Sequence, residues 1–198
     1  MKKSAIIFFA IFTIWACGNE APTPGNQAAP LDLSLFQLRD IPGTGLQKAE
    51  RYNEEGRVME EGILRNGKRN GTWITYHETK DIPGKIASFV DDTYHGPYLE
   101  YNKHGQLELM CSYTNHVLDG QFVRYASSRK VESGYYRNGQ LHGIYRKYHE
   151  KRDAVQQEAA YKDGKMHGKI RFFNEAGDVL MEYDYQDGEK MSGGIVER

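Results

Sequence analysis

Three histidines return at the same place along this chain, and imidazoles at a fixed spacing raise the question of a metal first. His95, His142 and His167 each stand directly before a glycine. His77-Glu78 and His149-Glu150 recur as a second pair, and Glu60-Glu61 and Asp91-Asp92 are adjacent carboxylates. Neither His-Glu pair extends to the His-Glu-x-x-His arrangement that sets two imidazoles on one helical face. Adjacent carboxylates in a strand point to opposite faces, so neither acidic pair makes an acid/base couple alone. The chain carries no Gly-x-x-x-x-Gly-Lys-Ser/Thr loop for phosphate and no Gly-x-Ser-x-Gly elbow for a nucleophile. What the histidines can do is decided by the elements that carry them.

Those elements repeat. A turn ending in glycine is followed two positions on by one large apolar residue and three later by an aromatic one: Gly71 by Trp73 and Tyr76, Gly96 by Tyr98 and Tyr101, Gly120 by Phe122 and Tyr125. Gly143 leads in the same way to Tyr145 and Tyr148, and Gly168 to Ile170 and Phe173, while a sixth copy around Gly193-Gly194-Ile195 is degraded. Successive glycines lie 25, 24, 23, 25 and 25 residues apart, the mark of a repeat architecture. Within a copy, Asn53 to Gly56, Asn102 to Gly105 and Asn174 to Gly177 read as turns into a first strand. That strand alternates, as in Leu107, Leu109, Cys111 and Tyr113 or Val179, Met181, Tyr183 and Tyr185. Asn66-Gly67, Asn138-Gly139, Asp163-Gly164 and Asp187-Gly188 then reverse the chain as hairpin turns into a second strand.

The fold class that follows is all-β. About six stacked β-hairpin repeats of some 24 residues form one elongated, twisted antiparallel meander. Equivalent histidines of neighbouring repeats are then two strands, about 10 Å, apart. One zinc holds its ligands within about 2.1 Å, so the histidines read as turn residues and no metal is expected. Cys111 lies nine residues before Gly120, where the other copies have Gly62, Ala87, Gly134 and Ala159. It reads as a small packed residue. Leu31 to Leu38 alternates apolar and polar residues and is the candidate strand or cap at the front.

The phrase Asn66-Gly67-Lys68-Arg69-Asn70-Gly71-Thr72-Trp73, repeated as Asn138-Gly139-Gln140-Leu141-His142-Gly143-Ile144-Tyr145, resembles the MORN repeat. More closely, it resembles the bacterial variant found in proteins labelled YwqK-family antitoxins, and the resemblance runs from about Tyr52 to Val196. Asp91-Asp92-Thr93-Tyr94 departs from it by lacking the first glycine, and Asp81 to Gly84 lengthens the turn that opens that copy. The resemblance implies a scaffold or partner-binding surface, and its antitoxin branch implies neutralisation of a toxic partner. The candidate contact residues are the recurrent aromatics: Trp73, Tyr76, Tyr98, Tyr101, Phe122, Tyr125, Tyr145, Tyr148 and Phe173.

The first residues are of another kind. Lys2 and Lys3 precede the apolar run Ala5 to Ala16, which is too short to span a bilayer as a helix, and Cys17 follows. Ile14-Trp15-Ala16-Cys17 resembles a bacterial lipobox, with Trp15 where a small residue is usual. The resemblance implies cleavage before Cys17 and acylation of its thiol, with two or three chains enough for stable anchoring. Residues 1–16 are then a signal peptide, 17–45 a lipidated cysteine, tether and cap, and 46–198 the repeat domain. Gly18 follows the cysteine where an aspartate would favour the inner membrane, so the resemblance implies the outer membrane of a bacterial envelope. The net charge of −1 becomes −3 without Lys2 and Lys3, and the only dense basic run is Arg65 to Arg69. Nucleic acid, which needs a basic face, is excluded as a partner. The expectation is a non-enzymatic lipoprotein without cofactor, bound to an unidentified protein. A hydrolase of envelope polymers would require acidic residues clustered in a deep cleft.

Overall fold

The computed structural model describes residues 28–79 and 81–196. The expected signal segment, Cys17 and most of the tether lie outside them. A single 3-10 turn (Leu33–Leu35) precedes β1 (Gln37–Ile41) and β2 (Leu46–Tyr52). The chain continues through β3 (Val58–Arg65), β4 (Lys68–Tyr76), β5 (Pro83–Val90), β6 (Thr93–Tyr101), β7 (Leu107–Thr114), β8 (Val117–Leu118) and β9 (Gly120–Ala126). It ends in β10 (Arg129–Arg137), β11 (Gln140–Leu141), β12 (Gly143–Tyr148), β13 (Val155–Lys162), β14 (Lys165–Phe173), β15 (Val179–Gln186) and β16 (Glu189–Ile195). All join one open antiparallel sheet whose strands follow chain order from β1 to β16, with β8 and β11 pairing off that path on β7 and β10. The all-β meander read from the repeats is the fold.

The hairpin turns have the dihedrals that their residues favour. Asn66-Gly67, Asn138-Gly139, Asp163-Gly164 and Asp187-Gly188 all have positive φ at both positions. Asp91-Asp92 and Asn115-His116 hold the same two-residue conformation without a glycine. Each of these turns after Asn66-Gly67 is also tied to the previous hairpin. The amides of Asp92, His116, Gly139, Gly164 and Gly188 donate to the carbonyls of Arg69, Tyr94, Leu118, Leu141 and Met166, at 2.8–3.0 Å. Every acceptor lies two residues past the preceding turn, so the bonds form a spine along one long edge.

The repeat glycines do not end turns, as their spacing suggested; they sit in bulges. Tyr94 pairs with Phe89 and Tyr98 with Ala87, which leaves His95, Gly96 and Pro97 opposite Ser88 alone. Met166 and Ile170 flank His167, Gly168 and Lys169 in the same way opposite Ala160. Such bulges bend the strand and need a residue tolerant of positive φ. Gly96 has φ +104° and Gly168 +98°.

One register line carries the core. Across the strands it runs Ala49, Gly62, Trp73, Ala87, Tyr98, Cys111, Phe122, Gly134, Tyr145, Ala159, Ile170. From Trp73 on, large and small residues alternate, so each ring lies over the small residues beside it. The indole of Trp73 occupies the space that a β-carbon on Gly62 would need. Leu64, Phe89, Tyr113 and Leu118 add a second buried row nearer the turns. At the front, Leu31, Leu33 and Phe36 pack against this core, Phe36 edge-on to Trp73 at 5.9 Å. Arg69 holds this segment down, donating to the Ala29 carbonyl at 2.7 Å and to Asp92 at 2.9 Å while lying over the Phe89 ring.

Candidate functional site

The turn histidines are spread along the spine, each against the next hairpin turn. Nδ1 of His95 lies 3.4 Å from Asn115 Oδ1, His142 Nδ1 lies 3.3 Å from Asp163, and His167 Nδ1 lies 3.2 Å from Asp187. The His142 contact is close enough for an ion pair but out of line for a hydrogen bond. Among the described residues no three His, Cys, Asp or Glu side chains converge on a metal-sized space. The Cys111 thiol is buried, and burial pushes it up to about 12. A thiol held protonated in this way is a poor nucleophile.

The recurrent aromatics separate into two rows on opposite faces. Trp73, Tyr98 and Phe122 are buried on the core face with Ile170, and Tyr145 is half-buried there. Burial makes Trp73, Tyr98 and Phe122 packing residues and removes them from the expected contact set. Tyr76, Tyr101, Tyr125, Tyr148 and Phe173 are half-buried. They stand three residues further on, so the period of two turns them to the other face. Tyr76 donates to Glu61 Oε1 at 2.7 Å, and its hydroxyl is held at about 12 by that carboxylate and by burial. Tyr148 Oη lies 3.0 Å from Ser133 Oγ.

The outer face has its own register line: Glu50, Glu61, Ile74, Ile86, Leu99, Met110, Val123, Ser133, Arg146, Glu158, Arg171, Glu182. It has three segments. At the front, Lys48 bridges Glu50 at 2.6 Å and Glu61 at 3.1 Å, with Arg39 on Glu50 at 2.9 Å. Lys48 is the main cause that holds the Glu50 carboxyl below its usual range. At the back, Arg146 reaches Glu158 at 2.7 Å, Arg171 reaches Glu182 at 2.7 Å, and Lys169 also pairs with Glu182. Lys169 and then Arg171 hold Glu182 low. Between these ion-paired ends lie five apolar residues on adjacent strands, Ile74 to Val123, a run of about 20 Å at the usual strand spacing. Val123 is covered by its neighbours and the other four are half-exposed.

The sequence reading missed this strip, although a signal existed. The residue after each core-face large residue is Ile74, Leu99, Val123, Arg146 and Arg171 in successive copies. The residue before each small one is Glu61, Ile86, Met110, Ser133 and Glu158. The first series turns from apolar to charged after Val123, and the second is charged at Glu61, apolar at Ile86 and Met110, and polar again from Ser133. Comparison with known proteins adds no assignment: no protein-family model matches the chain, and no curated protein matches it significantly.

Proposed function

We infer that this chain is a non-enzymatic, lipid-anchored protein of the bacterial envelope whose MORN-like sheet binds another protein through its outer face. The observation that carries the reading is the strip Ile74, Ile86, Leu99 and Met110, partly open to solvent and continued by the covered Val123, between ion-paired ends. Apolar side chains inside a polar rim are the anatomy of a contact surface. The half-exposed tyrosines beside the strip supply large, rigid rings with a polar tip, which suits them to protein contact. The front ion pairs tie β1, β2 and β3 together and keep that end of the face polar. The lipobox-like Cys17 supplies the anchor in this reading.

The test is capture of the tagged full chain from gently solubilised envelopes, read by mass spectrometry. One protein should be recovered near equal stoichiometry with the native chain and lost with Leu99→Glu or Ile86→Lys, while the circular dichroism of both variants stays native. Equal recovery with the variants, or no reproducible protein, would overturn the binding role. Cys17→Ala should release the chain from membranes; retention would remove the anchor from the proposal without touching the surface.

A further inference from the structure

The two edges of the sheet are finished differently. At the front, the outermost strand β1 carries Arg39 and Asp40, both engaged by β2, Arg39 with Glu50 and Asp40 with Gln47. The segment before it closes the core face with Leu31, Leu33 and Phe36. Short length and charged side chains are the usual means of making an edge strand unreceptive. The strand at the other end, β16, has no outer neighbour among the described residues. After Glu189 and Lys190 it runs Met191-Ser192-Gly193-Gly194-Ile195, uncharged and without proline. Met191 is 61% exposed and Ile195 79%, and Leu180 and Val196 beside them are also exposed.

The last copy also reverses the packing rule of the others. Large Tyr183 takes the first-strand position where earlier copies have a small residue, and Gly193 pairs with it from the second strand. The register line therefore ends on a glycine flanked by two exposed apolar side chains. A bulge at Met191 interrupts the register of β16 on β15, and beyond it the outer side of Ser192 to Ile195 has no strand partner among the described residues and few side chains to obstruct an approaching strand.

We propose that β16 is a homodimerisation edge, pairing antiparallel with β16 of a second copy about a two-fold axis through Ser192–Gly194. Such an axis, normal to the sheet, keeps the core faces of both copies on one side and extends the ladder across the interface. It brings Met191 of one copy toward Ile195 of the other twice, as an isologous contact requires. The glycines at the axis let the two backbones meet. The front edge, charged and capped, offers no comparable surface for a head-to-tail contact, so the association closes at two copies. Strand addition at an open edge takes its affinity from main-chain hydrogen bonds and its selectivity from flanking side chains.

The full chain in mild detergent, examined by native mass spectrometry, should show twice the mass of one chain. Ile195→Lys should weaken association at least tenfold, and its surface position leaves the circular dichroism unchanged. In hydrogen exchange, amides of β16 facing away from β15 should be protected in the native chain and exchange freely in the variant. With Gly194→Cys, whose added side chain meets nothing within 4 Å, a short thiol cross-linker should join residue 194 of one copy to residue 194 of the other. A monomer at all concentrations would overturn the proposal. So would an open series of larger assemblies, or cross-links from β16 to β1.

Discussion

The strands from β4 to β9 and those from β12 to β15 share one backbone design and are held together differently. In the first region both register lines are apolar. Trp73, Ala87, Tyr98, Cys111 and Phe122 are buried on the core face, and Ile74 to Val123 lie opposite them. Tyr94, Tyr98 and Tyr113 interlock there with centroid separations of 5.4–5.6 Å. In the second region the core face is thinner, with two isolated ring contacts, Tyr145–Tyr161 at 6.1 Å and Phe172–Tyr183 at 6.3 Å. Its outer face is an alternating ladder of Arg146, Glu158, Arg171 and Glu182. A hairpin repeat therefore tolerates either oil or charge on its outer face, provided the core line keeps its large-small alternation. That freedom is what lets one part of the sheet be given over to contact.

Alkali should have the largest effect. Burial raises Tyr94, Tyr98, Tyr113 and Tyr145 above the ordinary phenol value of 10, and Tyr76 stands at about 12. Groups raised in this way stabilise the fold fully below pH 10, and the contribution is lost as pH climbs through the folded values. The part of the phenolate absorbance that belongs to these tyrosines should therefore appear together with the change in circular dichroism, above pH 10 and largely at or beyond 12. Complete ionisation of all the tyrosines with the fold intact would contradict the packing described for the first region.

Trp73→Ala comes next, with a loss of ~3–5 kcal/mol in urea unfolding, as expected for removing a buried ring. Tyr145→Ala, at a half-buried ring of the second region, should cost clearly less; equal losses would erase the contrast. Gly62→Ala and Gly134→Ala sharpen it at smaller scale. The new methyl falls within the Trp73 indole in the first case and 3.3 Å from Tyr145 Cδ2 in the second. Overpacking of the first kind costs ~1–3 kcal/mol, and the second should cost less because the Tyr145 ring can give way. The smallest effect belongs to Arg146→Ala. Its partly exposed pair with Glu158 is worth ~1 kcal/mol or less, and 1 M salt should shrink even that difference.

Much of this was legible in the residues. The repeat period and the Asn-Gly and Asp-Gly turns led to the meander, and the small residues at the Cys111 position led to Cys111 as a small packed residue. The burial of one aromatic row was not legible. Trp73 and Tyr76 differ by three positions, so they had to face opposite ways, but period two does not say which face closes. That depends on Leu31, Leu33 and Phe36 arriving from the front and on turn-side residues such as Leu118 closing over the line. The outer strip was hidden for another reason. Its members lie 11 to 13 residues apart and become neighbours only once the register, with its bulges, is known.

The hydrogen bonds from each hairpin turn to the carbonyl one repeat back carry a kinetic consequence. Nearly all partners in this sheet are near in sequence, so its contact order is low for a β protein, and sheets of that kind fold fast. A chain that emerges N-terminus first can close like a zip. The capped front registers first, and each finished turn presents the acceptor that the next hairpin will use.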